Sequence, residues 1–352
     1  LNNSKEVIRI SCLPLAGKEN PYQLLMLKGL EEDKRLRVKS GAAGKVFPLT
    51  RTALSDRPDV IHLDWLHQYY LRSSALLTWI SWPVFVLDLL IAKYLFGVRF
   101  VWTLHNVHPH DAHGYGPYLG PRRFFARHCD WIRVFSEQTV VRAATALRVD
   151  AAKFRVIPEG DYTAYYPNHT NTREARRKFG FSEEDRVMLF FGGIRPYKGI
   201  EVLLDAFGQL SVANQTRLII AGQARDADYV SELRQRIGKN SRILFRPGLV
   251  EVLEVQYYFH VADVVVLPFR EIENSGSAIL AMGFAKAIVA PAKGVLPERL
   301  RAQLLLLYRG DLSETLTVAA GMPRSKLEAL GQANKKNLDK YKWGDFAGVF
   351  YD

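Results

Sequence analysis

Short apolar runs alternate with amphipathic stretches along nearly the whole chain. In the second half the runs are VMLFF at 187–191, RLIIAG at 217–222, RILFRPG at 242–248, DVVVLPF at 263–269 and AIVAP at 287–291. Each is short, rich in aliphatic or aromatic residues, and bounded by glycine, proline or charge, the profile of a strand buried on both faces. Between the first two, Ile200, Leu203, Leu204, Phe207 and Leu210 recur at helical spacing. Strands alternating with such helices predict a parallel sheet built of right-handed βαβ units. The first half repeats the style with VIRISC at 7–12, DVIHLDWL at 59–66, RFVWTLHN at 99–106, WIRVFSE at 131–137 and FRVIPEG at 154–160. The pattern predicts an α/β protein of two Rossmann-like halves, 1–165 and 166–335. Their boundary is expected in YYPNHTNTREARRKFG, residues 165–180, which is polar, charged and contains a proline.

One stretch departs from this pattern. SSALLTWISWPVFVL, residues 73–87, carries no charge and two tryptophans, and LLIAKYLFG follows. Pro83 and Asp88 interrupt it, so the uncharged run falls short of the roughly 18 to 20 residues of a membrane span. Two readings stand: a helix lying in a membrane interface, and a helix packed on the first sheet. Nearby, GPRRFFARHCDWIR interleaves Arg122, Arg123, Arg127 and Arg133 with Phe124, Phe125 and Trp131. That is the composition of a membrane-surface patch, or of a solvated face with packed aromatics.

A length of 352 residues exceeds what one hydrophobic core usually organises, in keeping with two domains. Net charge is +12, and the first 165 residues hold 22 Lys/Arg against 15 Asp/Glu, so no single tail carries it. Such a balance suits nucleic acid, anionic lipid or a phosphorylated substrate. Nucleic acid is set aside, because no basic stripe, zinc knuckle or aromatic RNA motif accompanies the charge. Cys12 and Cys129 are too few for a disulfide framework and lack metal-ligand spacing, which predicts a reducing compartment. No signal peptide is read at Leu1. A cytoplasmic location is expected, with the basic, apolar first half pointing to the inner face of a membrane.

The candidate chemistry lies in loops after strands. In FFGGIRPYKGIE, residues 190–201, Gly192 and Gly193 close a strand, Arg195 and Lys198 follow, and a helix opens at Gly199. Helix N-termini carry free N–H groups and partial positive charge, so a glycine loop with two cations there suits phosphate. The order Lys198-Gly199-Ile200 is not that of a Walker A loop. A second loop, FREIENSGSAILAM, sets Arg270, Glu271, Glu273, Asn274, Ser275, Gly276 and Ser277 before an apolar helix. Asn and Ser are natural N-caps, and small residues let a ligand approach the N–H groups closely. Open α/β sheets bind ligands at strand C-termini, so the two loops are expected to hold one diphosphate.

These residues in this order resemble the nucleotide-binding half of GT-B glycosyltransferases, close to family 4 (GT4). The resemblance rests on GGIRPYKGIEVLLDAF, LIIAG, PGLVEVLEVQYYFHVADVVVLPF and SGSAILAMGFAKAIVAP, most of residues 187–291. It implies two Rossmann-like domains facing each other across a cleft, with Arg195 and Lys198 neutralising the donor diphosphate and Gly193 and the Asn274 to Ser277 stretch also facing it. Arg246, Pro247, Gly248 and Leu249 would lie against the base. The family has a second loop glutamate eight residues after the first, just before an Ala-Met pair, and it bonds the ribose hydroxyls. Leu280 stands in its place. Glu273 keeps the Glu-x-x-Gly spacing to Gly276 and is favoured over Glu271 as the carboxylate meeting the donor sugar. Residues 336–352 would form a last helix crossing back to the first domain, with Trp343 as its aromatic.

The first half carries TLHNVHPHDAHG, residues 103–114, with four histidines whose spacing in a Pro- and Gly-containing loop lacks the helical face of zinc motifs. By resemblance, His105 touches the transferred sugar, and Asn106, His108, His110 and Asp111 line the acceptor side, where a general base is needed. Gly17, in LPLAGKENPYQ, is a further donor-loop candidate, although Asn20-Pro21 reads equally as a plain cap. Glu137 and Gly160 are weaker candidates at later strand ends.

The expected activity is a retaining, metal-independent transfer of a hexose from a nucleotide sugar to a carbohydrate or polyprenyl-linked acceptor in polysaccharide or envelope biosynthesis. No cofactor is expected; UDP-hexose is favoured as donor over GDP-mannose, on family frequency alone. A sugar-nucleotide epimerase of the same fold and a non-catalytic membrane-docking scaffold remain as alternatives, the latter resting on Leu280.

Overall fold

The computed structural model describes residues 7–14, 21–44, 46–72, 74–107, 119–210 and 215–351. It divides into two compact units, Leu1–Glu159 with Lys342–Asp352, and Gly160–Tyr341. The chain therefore changes unit just after Glu159, before the polar stretch at 165–180, and returns at Lys342 rather than at 336.

The first unit holds six parallel strands: β1 Ile8–Leu13, β2 Leu36–Ser40, β3 Val60–Leu63, β4 Arg99–Thr103, β5 Trp131–Val134 and β6 Phe154–Val156. They lie in the order β2-β1-β3-β4-β5-β6. β2 is the strand that the apolar pattern misses, because LRVKS sits at the sheet edge with most of its side chains in solvent. The order reverses between β1 and β3, so their C-terminal ends flank a switch point of the kind where open α/β sheets take ligands. Phe100, Trp102, Phe125, Ile61 and Leu63 fill the core on one side of this sheet. On its other side, the 3-10 segment Trp343–Phe350 packs on the helix Tyr22–Glu31. A Cβ at Gly29 would come within 2.5 Å of Trp343 Cβ, so only glycine allows this approach.

The apolar stretch at 73–96 is partly what each reading expects. Helix Ala75–Leu90 continues through a π-helical turn, Ile91–Leu95, and its 21 residues are long and apolar enough to cross a membrane by length and composition. Asp88 does not break it: both carboxylate oxygens accept backbone N–H bonds, from Leu49 at 2.9 Å and Thr50 at 2.7 Å, at the start of helix Pro48–Asp56. Lys93 pairs with Asp130 at 3.0 Å. One face, with Phe85, Leu89 and Ala92, is built into the core. The opposite face leaves Leu76 70%, Trp79 57%, Ile80 58% and Leu87 51% exposed. The helix is thus tied to its unit along one face and open along the other.

The Arg/Phe stretch at 120–133 is not a surface patch. Arg133 and Phe125 are fully buried and Arg122 nearly so. The guanidinium of Arg133 donates to the carbonyls of Ile157 and Pro158 at 2.9 and 3.1 Å. Arg122 donates to those of Asn106 and Val107 at 2.6 and 2.8 Å. Interior carbonyls at strand ends, rather than lipid headgroups, take up the charges of Arg122 and Arg133, and only Arg127 of the four is exposed.

The second unit also has six parallel strands: β7 Arg186–Phe191, β8 Thr216–Gly222, β9 Ile243–Pro247, β10 Val264–Val266, β11 Ala287–Pro291 and the two-residue β12 Leu307–Tyr308. Their order is β12-β11-β10-β7-β8-β9, and the switch point falls between β7 and β10. The two loops singled out in the sequence are the ones that follow β7 and β10.

Candidate functional site

Glycine is required where the loops after β7, β8 and β10 meet. Gly192 has φ of 144°, and a Cβ there would stand 2.5 Å from Ser277 Oγ. Gly222, at the end of β8, has φ of 140°, and its Cβ would run into the carbonyl oxygen of Gly192. Gly199, with φ of 67°, leaves no room for a Cβ beside the carbonyl oxygen of Pro268. Arg270 N–H donates to the Tyr197 carbonyl at 3.2 Å, tying the second loop to the first. The backbone is thus drawn together at the switch point with few side chains in between, which is the condition for N–H groups to reach a phosphate.

Two cations stand at this edge. Arg195 precedes the 3-10 turn Pro196–Lys198, and Gly199 in the left-handed region leads into helix Ile200–Gly208. Neither the Arg195 guanidinium nor the Lys198 ammonium has a carboxylate partner among the described residues, whereas Arg270 beside them is paired with Glu201. Lys198 Nζ instead lies over the Phe269 ring, 4.1 Å from its centroid. Burial, and then the neighbouring Arg195 charge, push its ammonium down to about 8. An anion bound here would relieve both effects and return the ammonium to full protonation, so binding takes up a proton above pH 8. GDP-mannose, whose diphosphate has no group titrating in this range, is expected to bind with level affinity below pH 7 and to weaken by up to about tenfold per pH unit above 8. Calorimetric titration between pH 6 and 9.5 measures this, and Lys198→Arg is expected to flatten the slope.

Facing the cations, Ser275 caps helix Gly276–Gly283, its Oγ accepting from Ala278 N at 3.1 Å. The cap explains Ser275 without a ligand and orients the first N–H groups of the helix. Asn274 Oδ1 is buried with no hydrogen-bond partner. Glu273 is buried at 8% exposure, whereas Glu271 is exposed. Leu280 lies in the buried face of the helix, so an apolar residue there is satisfied by packing. Further along the same edge Gly248, with φ of 149°, follows β9 and donates its N–H to the Gly222 carbonyl at 2.9 Å. Arg246 and Leu249 on either side of Pro247-Gly248 are exposed. The structure therefore brings Gly193, Arg195, Lys198 and Glu273 to Ser277 together at the switch point, and sets Arg246 to Leu249 two strands away. Gly222 was not read as a site residue; its signal is a glycine closing an apolar run beside Gly192.

In the first unit the same kind of edge holds a polar cluster that the sequence did not reveal. Asp64 follows β3, and its side chain is wholly buried. The carboxylate accepts from Tyr22 OH at 3.1 Å and from Gln23 Nε2 at 3.3 Å, and its Oδ1 is 3.0 Å from His105 Nε2. Burial alone would raise its pKa, but His62, His105 and Tyr22 together hold it below the usual carboxylate value. His105 stacks on Trp65, centroids 5.2 Å apart and planes 10° apart, and meets Tyr22 edge-on at 4.9 Å. Asn106 follows it, its carbonyl held by Arg122. Gly17, His108, His110 and Asp111 lie outside the described residues. Glu137 opens a helix on the surface and Gly160 is buried at the start of the second unit. Asp226-Ala227-Asp228 has Asp-x-Asp spacing, but Asp226 Oδ1 accepts from Tyr229 N at 3.0 Å as a helix cap.

Residues 171–306 match the family described as Glycosyl transferases group 1. The chain is 28% identical, over 80% of its length and 77% of the relative's, to a GDP-mannose:glycolipid 4-beta-D-mannosyltransferase of Xanthomonas campestris pv. campestris. It is 26% identical to a lipopolysaccharide 1,2-N-acetylglucosaminetransferase of Salmonella typhimurium, over 43% of this chain and 42% of that one. Among solved structures it is similar to Anabaena HepE in complex with UDP and glucose, with TM-score 0.71, 17% identity and 98% of each chain covered. It is likewise similar to sucrose-phosphate synthase from Thermosynechococcus elongatus, with TM-score 0.75, 18% identity and 98% of each chain covered. The fold is that of GT-B glycosyltransferases, and the stretch similar to the group 1 family lies within the second unit.

Proposed function

We propose that this glycosyltransferase moves a hexose, mannose from GDP-mannose in the first instance, to a hydroxyl of a lipid-linked saccharide. The observation that carries the donor half is the pair Arg195 and Lys198, without counter-ions among the described residues, at a switch point floored by Gly192 and Gly222 and faced by the Ser275 helix start. A diphosphate supplies the missing negative charge. As the sugar bond breaks, charge grows on the departing diphosphate, and the two cations and the helix N–H groups stabilise it. Glu273 is the carboxylate for the donor sugar's hydroxyls. The close likeness to family 4 and the independence from metal belong to this proposal, and the second is checked by assay in excess chelator.

GDP-mannose is placed ahead of the UDP-hexose expected from family frequency because a relative matched over 80% of this chain is named for GDP-mannose. UDP-glucose is the second donor, supported by the HepE likeness. The same relative is named for a glycolipid acceptor, and the open apolar face at Leu76, Trp79, Ile80 and Leu87 supports work at the cytoplasmic surface of a membrane.

A thermal-shift panel tests the donor. GDP-mannose is expected to raise Tm more than UDP-glucose or ADP-glucose, and no shift with any sugar nucleotide would leave the scaffold reading standing. Conversion of the donor sugar with no acceptor present would favour an epimerase. In flotation with vesicles containing phosphatidylglycerol, the protein is expected to rise with the lipid, and Trp79→Ser with Ile80→Ser to lower that fraction several-fold.

A further inference from the structure

The exposed apolar stripe does not stop with the regular helix. Leu76, Ile80, Val84 and Leu87 follow one another at three- and four-residue spacing, and the π-helical turn carries the stripe on to Tyr94 and Leu95, 68% and 74% exposed. At 1.5 Å per residue the stripe is roughly 30 Å long, and it ends in a tip at residues 94–97, just before β4. An exposed apolar patch of this length marks an interaction surface.

Cations border the tip. On one side lies a cleft of about 330 Å³ lined by Lys93, Arg99, Arg127, His128, Lys153 and Asp130. Tyr94 meets His128 edge-on, centroids 6.3 Å apart, which ties the tip to the cleft. The one carboxylate among the described lining residues is already engaged: Asp130 Oδ2 takes the Lys93 ammonium at 3.0 Å and the Phe100 N–H at 2.7 Å. Lys153 is equally fixed. Its ammonium donates to the carbonyls of Ala126, Arg127 and Cys129, at the C-terminal end of helix Leu119–His128, over 2.7 to 3.1 Å. Arg99 and Arg127 are left over. Arg99 donates to the Phe350 carbonyl at 3.3 Å, and neither guanidinium has a carboxylate partner among the described residues. On the other side of the tip Arg9 is matched by Asp59 at 2.9 Å, and Arg57 makes no ion pair among the described residues. The tip is thus apolar with a positive rim on both sides.

We propose that the cleft beside Tyr94 takes the headgroup phosphate of an anionic phospholipid between Arg99 and Arg127, with Tyr94 and Leu95 set among the acyl chains. The proposal rests on the membrane reading above and gives it a lipid partner. A guanidinium presents a planar fork of N–H donors that matches two phosphate oxygens, and it is more weakly hydrated than an ammonium. The unmatched charge calls for an anion and the apolar tip for hydrocarbon, and a phospholipid supplies both in one molecule. A second copy of this chain, docked through the same face, would bring these cations against one another. Lys93 and Lys153 keep their own partners and add positive potential without touching the lipid. The cleft lies at the N-terminal ends of β4 and β5, the opposite end of the sheet from Asp64 and His105. A lipid held here therefore anchors the unit and is not the acceptor.

Flotation of the full chain with vesicles tests this. Arg99→Gln with Arg127→Gln is expected to lower partition onto phosphatidylcholine vesicles containing phosphatidylglycerol by about 10 to 30-fold, or about fivefold per cation. Partition onto phosphatidylcholine alone should not change. Arg234→Gln with Lys239→Gln removes the same charge from exposed positions of the second unit, and is expected to stay within about twofold of the parent. Equal losses from the two pairs would mean net charge rather than a site, and overturn the proposal. Arg127 is exposed, so Arg127→Gln alone, with a loss of about fivefold, carries the test if the double variant unfolds. Tyr94→Ser with Leu95→Ser is expected to lower partition several-fold; no loss would make the cleft a site for inorganic phosphate and overturns the lipid. A parent dimer in sedimentation velocity that this same pair dissolves would give the tip to a second copy, and overturns it too. The membrane reading fails separately. If Trp79→Ser with Ile80→Ser lowers flotation and Arg99→Gln with Arg127→Gln does not, the membrane stands and this site falls; if the parent floats with no vesicle, both fall.

Discussion

Replacing Arg195 and Lys198 together by alanine is expected to reduce transfer by on the order of 10³ to 10⁵-fold while leaving the protein folded. One lost electrostatic donor at a developing oxyanion typically costs on the order of 10² to 10³, and the two cations act on one diphosphate, so their effects need not multiply fully. The fold should tolerate the change because neither side chain makes an ion pair among the described residues. Indeed Lys198 is held near Arg195 with its ammonium pushed down to about 8, so removing it relieves a cost in the free protein. The Tm without ligand is expected to be unchanged or slightly higher, and the Tm gain with GDP-mannose to vanish. Transfer within tenfold of the parent, in a variant with unchanged Tm, would sink the reading of this loop.

The second large effect is on stability. Gly222→Ala is expected to unfold the second unit or lower its Tm by about 10 °C or more. At φ of 140° an L side chain is strained wherever it points, and here the Cβ would also press on the Gly192 carbonyl oxygen and lie 2.7 Å from its carbon. Backbone strain of this kind is on the order of 1 to 3 kcal/mol before the collision is counted. A loss of about 4 kcal/mol in a unit of this size corresponds to roughly 8 to 16 °C. Gly208→Ala is the control: an added Cβ there meets nothing within 4 Å, so stability should hold. Circular-dichroism melts of both variants check the contrast, and equal Tm values for Gly222→Ala and the parent would remove the argument that β7 and β8 meet here through backbone alone.

The chain's local chemistry determined a good deal by itself. VMLFF, RLIIAG and DVVVLPF could be read as buried strands because both faces of a parallel sheet are covered, so apolar residues run on without alternation. The helix opening at Ile200 and the Ser275 cap were legible for the same reason: capping and periodicity are written within one or two turns. From these came two α/β halves and the loop with Arg195 and Lys198. Two of the four edge strands escaped, since LRVKS is mostly polar and LY only two residues long, so neither carries a long apolar signal.

What only the tertiary structure decided is which strand ends are neighbours. Asp64 and His105 are 41 residues apart, and nothing local marks Asp64 in DVIHLDWL as more than a polar residue after a strand. They meet because β3 and β4 lie side by side in register, Leu63 opposite Trp102, which carries both following residues to one edge. The same holds for Arg122 and Arg133, whose charges read as a surface in the sequence and prove to be spent on carbonyls that pairing of β4, β5 and β6 places in the interior. Hydrophobic periodicity fixes what an element is, because it reports on the few residues around it. Strand order fixes which polar groups must satisfy one another, and that is a property of the assembled sheet.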